Sequence, residues 1–195
     1  IADNIYNVIN TIFVGQLSNS VGEQAIGAVG LGGMFYFNWV IMLIGLAIGA
    51  QIIIGRRNGE GNYEQAGSIL THSFLLYGVI GIGLLILLQF ITPPLLRYMI
   101  HSTKVYEISL EYVSIRSFGI VFLSLAISMK SFFIGITKTN IITYITFLGA
   151  GINIMLDFGL IFGHWGMPNL GVKGAAYSSL VAEFVTALAF LLCCF

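Results

Sequence analysis

An all-α bundle that crosses a bilayer is the fold class this sequence predicts, on three observations. First, 57% of the 195 residues are hydrophobic and only 8% are charged, where a soluble domain carries roughly a quarter charged residues. Second, no Asp, Glu, Lys or Arg occurs from Gln24 to Gly55 or from Gln65 to Leu96. Each window exceeds the roughly 20 apolar residues that a membrane helix needs. Third, the alternating lipid-out, polar-in pattern of a membrane barrel is absent, and helices are the other way to satisfy a backbone in lipid.

Six spans follow in order. The first runs from the start of the chain to about Gln16 and reads as cut short, since the sequence opens without Met on an apolar stretch. The second covers Gln24 to Gly55 and ends on the polar run "GRRNGEGNYEQ". The third covers Gln65 to Ile91, and Pro93-Pro94 is expected to close it, because proline removes a helical donor and clashes with the preceding turn. The fourth, Tyr106 to Gly135, stops at "GITKTN". The fifth, Asn140 to Gly163, stops at "GHWGMPNLGVKG", with Pro168 in the connector. The sixth runs from Gly174 to the end at Phe195. All of 1–195 is read as one transmembrane unit.

Eight basic residues balance eight acidic ones, which argues against a nucleic-acid partner. Cys193 and Cys194 are adjacent, a spacing that suits neither a metal site nor a disulfide framework. Arg56, Arg57 and Lys138 flank the second and fourth connectors and tilt both towards the cytoplasm. Gly45-x-x-x-Gly49 and Gly159-x-x-x-Gly163 have helix-packing spacing, read as simple close packing.

Ionisable residues inside the spans are the functional candidates, because each costs several kcal/mol to keep in lipid. Arg116 and Lys130 are fourteen residues apart, about 21 Å along a helix, and read as a pair that snorkels to opposite headgroup layers. Glu107 and Glu111 fall in the interface, and His72 reads as a hydrogen-bonded packing residue. Asp157 lies about 9 Å from its helix end and is too short to reach water. It must pair, bind a cation or take up a proton. Asn153 stands one turn earlier on the same face.

Depth adds company. Asn10 and Ser179 lie roughly 8 to 9 Å into the first and sixth spans from the same side of an up-down bundle. Four oxygen-bearing side chains, Asn10, Asn153, Asp157 and Ser179, could then meet at one level, a set suited to Na+ or a proton. Helix–helix hydrogen bonds that merely hold the bundle together are the other reading. Asp3 and Glu183, at other depths, offer a proton path; alternatively Glu183 forms a salt bridge with Arg116 or Lys130. Phe35, Tyr36, Phe37 and Trp39 are candidate cavity residues through aromatic and cation–π contact, or ordinary lipid-facing aromatics.

Three stretches carry a family resemblance. "YNVINTIFVGQL" resembles the first-helix pattern of multidrug and toxic compound extrusion (MATE) transporters, Y-N-x-x-D-T-x-F-x-G. "AQIIIGRRNGEGNYEQAG" is similar to that family's second helix end and cytoplasmic loop. "GINIMLDFGLIFGHWGMPNLGVKGAAYSSLVAE" is similar to its fifth helix, loop and sixth helix. The resemblance implies one six-helix lobe of a twelve-helix, two-lobe transporter in the cell (inner or plasma) membrane. The missing C-terminal lobe and the lipid bilayer would be its partners. It also implies that Asn153, Asp157, Ser179 and Asn10 occupy cation-coupling positions, with Asp157 and Asn153 as ligands if the ion is Na+, and no other cofactor. The expected activity is export of amphiphilic, often cationic organic compounds in exchange for Na+ or H+. Two departures stand out: Asn10 replaces a usual Asp, and Ser179 replaces a frequent Thr.

Two other classes stay open. A lipid-linked oligosaccharide flippase of similar architecture would want a more basic cavity than Arg116 and Lys130 supply. An intramembrane enzyme would want a motif such as G-x-S-x-G or H-E-x-x-H, and neither occurs.

Overall fold

The computed structural model describes residues 11–16 and 19–194, with the backbone alone for 19–24. A helical turn, α1, covers residues 11–15. Five long helices follow: α2 (Asn19–Gly59), α3 (Tyr63–Met99), α4 (Thr103–Gly135), α5 (Thr139–Phe162) and α6 (Val172–Cys194). A single 3-10 turn, His164–Gly166, follows α5. All five are long and apolar enough to cross a membrane, so the chain is a multi-pass membrane protein. Asp3, a candidate for the proton path, and Asn10, a candidate for the cation cluster, lie outside the described residues.

The helix ends obey local chemistry. Asn62 caps α3 by accepting from the Gln65 amide at 3.1 Å, behind Gly61 in the left-handed region. Gly163 ends α5 at φ 74°, donating its N–H to the Gly159 carbonyl at 2.9 Å. Pro93 and Pro94 do not stop the third span as expected, because α3 continues through them to Met99. The turn beyond them is fastened by packing, with Leu96 buried, and the Tyr106 hydroxyl reaches the Pro93 carbonyl at 3.5 Å.

Helix α4 is the axis of the bundle and packs against α2, α3 and α6. Its serines explain how a helix buried on several sides stays polar: Ser109 donates to the Ala28 carbonyl at 3.2 Å and Ser124 to the Tyr77 carbonyl at 2.9 Å. Tyr77 in turn donates to the Leu43 carbonyl at 3.0 Å, tying α3 to α2. Such interhelical bonds contribute about 0.6 kcal/mol each in a membrane protein.

Close approach depends on missing side chains. A Cβ on Gly135 would sit 2.6 Å from Ile54, so α2 and α4 touch at their C-terminal ends. A Cβ on Gly174 would sit 2.6 Å from the Leu160 carbonyl oxygen, so the start of α6 lies directly on the backbone of α5. The predicted packing of Gly45 and Gly49 is not found, since both face open space. Gly159 packs against Met167 and Gly163 against Asn169, and Gly163 serves as the helix cap as well.

Candidate functional site

The tight α5–α6 hairpin brings the predicted polar residues together. Asn153 and Asp157 on α5 and Ser178 and Ser179 on α6 are all buried, the first three with no exposed surface. Close contact at Gly174, and the Leu170 amide donating to the Leu160 carbonyl at 2.9 Å, hold the two helices in this register. Asp157 accepts a hydrogen bond from the Ser178 hydroxyl. The Asn153 amide nitrogen lies 3.5 Å from the Ser178 hydroxyl and 3.4 Å from that of Ser179.

Ser178 is the member that sequence reasoning missed. Its neighbour Ser179 was chosen by depth and family position, yet Ser178 is the one against the carboxylate. Adjacent residues on a helix point about 100° apart, and which of the two faces α5 depends on how α6 is turned, which the sequence alone does not carry. The Ser178 hydroxyl also lies 3.0 Å from the Ala175 carbonyl, which accepts from Ser179 at 2.9 Å as well.

One hydroxyl proton cannot serve both Asp157 and Ala175. With the carboxylate ionised, Ser178 donates to it. With Asp157 protonated, the acid donates to Ser178 and Ser178 donates to Ala175. The cluster therefore has a satisfied arrangement for each protonation state. Carboxylate, hydroxyl, carbonyl and amide oxygens are hard donors, so the same residues suit Na+. The Asn153 amide would have to turn its oxygen inward to act as a ligand.

A cavity of about 270 Å³ opens beside this cluster, between α2, α4, α5 and α6. Asn153 and Ser179 line it, while Asp157 stands behind them. Tyr36, Phe37 and Phe190 supply aromatic wall, and Gln51, Thr146 and Thr186 add polar groups. The other two candidates, Phe35 and Trp39, do not line it; they pack edge-on against each other at 6.5 Å, on another face of α2, as ordinary packing aromatics.

The largest correction concerns Arg116 and Lys130. They do not snorkel to opposite headgroup layers, because both line this cavity. Arg116 is 7% exposed and its Nη2 donates to Glu183 Oε1 at 3.0 Å, while its guanidinium carbon lies 4.6 Å from the centre of the Tyr36 ring. Helix α4 begins at Thr103, so Arg116 sits about 20 Å from that end. Of the alternatives for Glu183, the geometry supplies the salt bridge with Arg116. Gly119 makes room for it, since a Cβ there would collide with the Glu183 carboxylate. Nearer the helix end, Glu111 pairs with Lys173 at 2.7 Å, half exposed as an interfacial residue should be. His72 is exposed and hydrogen-bonds the Ser68 carbonyl of its own helix at 2.7 Å.

Comparison with known proteins agrees with this architecture. A family model described as MatE matches residues 1–158. The chain is 30% identical over 172 residues to the probable multidrug resistance protein YoeA of Bacillus subtilis, covering 86% of this chain and 36% of that one. It is 26% identical over 184 residues to the multidrug resistance protein NorM of Burkholderia vietnamiensis, covering 94% and 39%. The inward-facing structure of a multidrug resistance MATE family transporter of the MOP superfamily superposes with a TM-score of 0.90 at 26% identity, over all of this chain and 42% of the other. The chain thus spans about two fifths of the length of the relatives it matches.

Proposed function

Because the chain belongs to the MatE family, one of transporters and not of enzymes, we propose that it acts as one lobe of a cation-coupled drug antiporter. A second lobe would complete the pathway, and the cell (inner or plasma) membrane would house it. The substrates are amphiphilic organic compounds, often cationic, and the driving ion is Na+ or H+.

One observation carries this reading. The Asp157 cluster and the cavity share a wall, since Asn153 and Ser179 belong to both. An ion that binds or neutralises Asp157 changes the hydrogen bonds of those two residues, and with them one side of the cavity. A ligand shifts a conformational equilibrium only through its differential affinity for the two states. Neutralising a buried carboxylate supplies such a difference, and a substrate against the same wall supplies another. Binding of each then opposes or favours the other, which is what exchange requires.

Asp157→Asn in the full-length transporter tests the reading. Cation-driven efflux is expected to vanish while expression and the thermal midpoint stay near wild type. Undiminished efflux would refute the coupling role. Asn10→Asp, restoring the acid usual in the family, is expected to make transport more proton-dependent.

A lipid-linked oligosaccharide flippase is the second reading, and the placement of Arg116 and Lys130 on one cavity wall favours it. Arg116 and Lys130 stand fourteen residues apart on α4, about 21 Å along the helix, so they cannot close on one pyrophosphate together. An assay of lipid-linked sugar transfer beside dye efflux separates the two.

A further inference from the structure

Tyr36 and Glu183 form what a bound organic cation seeks, an aromatic face beside a carboxylate. In this protein the seat is taken from within. Arg116 covers the Tyr36 ring at 4.6 Å and holds Glu183 at 3.0 Å. A cationic ligand arriving at this level of the cavity meets a fixed positive group and an aromatic face already covered.

The guanidinium still has hydrogen-bonding capacity to spend. It carries five N–H donors. One is given to Glu183, and its buried Nε finds no acceptor among the described residues. Arg116 is more than nine-tenths buried and lines the cavity. Its plane is held by the Tyr36 ring on one side and the α6 carboxylate on its edge, so little rotamer freedom is lost when a further acceptor arrives. Around it the cavity is mostly apolar, through Phe37, Val40, Leu123 and Ile127.

We propose that Arg116 is an oxyanion-recognition point in the cavity, and that the ligand it reads is an amphiphile bearing a carboxylate or similar acidic group. Tyr36 and Glu183 are positioning residues that keep the guanidinium in place. The acidic group could belong to a free amphiphile or to a lipid. The proposal rests on the transporter reading for its biological setting, but its binding site stands on the cavity geometry alone.

The test is fluorescence titration of the full-length protein in nanodiscs of zwitterionic lipid, with dansyl-labelled undecanoate and its methyl ester. The acid is expected to bind saturably and about tenfold more tightly than the ester, the range of one charge-assisted hydrogen bond. Arg116→Gln should erase that preference. Since Arg116→Gln leaves Glu183 facing a neutral amide and could impair folding, the pair variant Arg116→Gln/Glu183→Gln is measured too, and should also bind acid and ester alike. Equal binding of acid and ester by wild type, or a preference for the acid that survives in both variants, overturns the proposal. Adding phosphatidylglycerol to the nanodiscs identifies the source. A fall in apparent affinity for the acid assigns the site to lipid headgroups, and an unchanged affinity assigns it to free acids. Asp157→Asn separates this proposal from the coupling reading: it should keep the acid preference even where transport is lost.

Discussion

Asp157 and Glu183 are both carboxylates deep in the bundle, and they are answered in opposite ways. Asp157 accepts from the Ser178 hydroxyl, a neutral group that the Asn153 amide also reaches. Glu183 meets a guanidinium that never gives up its charge, itself held by an aromatic ring. The first bond joins a carboxylate to a neutral hydroxyl, and the second joins a carboxylate to a fixed positive charge. On the proposed coupling role for Asp157, the partner, more than the depth, is what sets the two acids apart.

Stability should separate the two most sharply. Glu183→Gln strands a buried guanidinium and is expected to cost about 3 to 5 kcal/mol, read as a fall in thermal midpoint in detergent. Asp157→Asn should barely move that midpoint, because an amide can still hydrogen-bond Ser178. Equal losses in both would collapse the distinction. Next in size is the double change Arg116→Met/Glu183→Leu, which removes both charges together. It should recover most of the loss, since replacing a buried pair by apolar groups is often neutral.

Ser178→Ala sharpens the other half of the contrast. It removes the donor on the Asp157 carboxylate, a hydrogen bond of about 1.5 to 3 kcal/mol when the acceptor is charged. The concentration of coupling cation needed for half-maximal efflux should shift roughly tenfold or more, and the thermal midpoint should fall, though less than for Glu183→Gln. The smallest effect belongs to a third carboxylate, Glu60, bonded by Arg56 at 2.9 Å and Arg57 at 2.7 Å on the exposed α2–α3 turn. These hydrogen bonds hold its carboxyl below the ordinary carboxylate range. Its contribution is therefore present above the ordinary value and lost as pH falls through the lowered one. Exposed pairs of this kind are screened by solvent, so Glu60→Gln should leave the midpoint at neutral pH indistinguishable from wild type.

How much of this could be read in advance differs between the two acids. Asp157 was legible because it is short: depth arithmetic alone showed that it could not reach water, and Asn153 one turn away marked the face. Arg116 was misread because its stem is long. Fourteen residues between Arg116 and Lys130 fit the two edges of a bilayer, although a span that starts at Tyr106 already puts Arg116 about 15 Å from its end. Its partner sits 67 positions away on another helix, and a pairing of that range has no local signature. The span order was plain from hydropathy. Helix α2 runs to Gly59, beyond the apolar window, because hydropathy reports where lipid ends and says nothing of where a helix stops. Pro93-Pro94 failed as a stop signal for a related reason: local propensity lost to the burial of the turn that follows.

Gly119 gives the Arg116–Glu183 pair an unusual genetic property. The pair is written in three positions, and the third carries no charge and no side chain. A single methyl group there would push the Glu183 carboxylate aside and hand the guanidinium to whatever else enters the cavity. The ion pair is thus lost by a change that leaves every charged residue in place, invisible to any comparison that scores only the acids and bases.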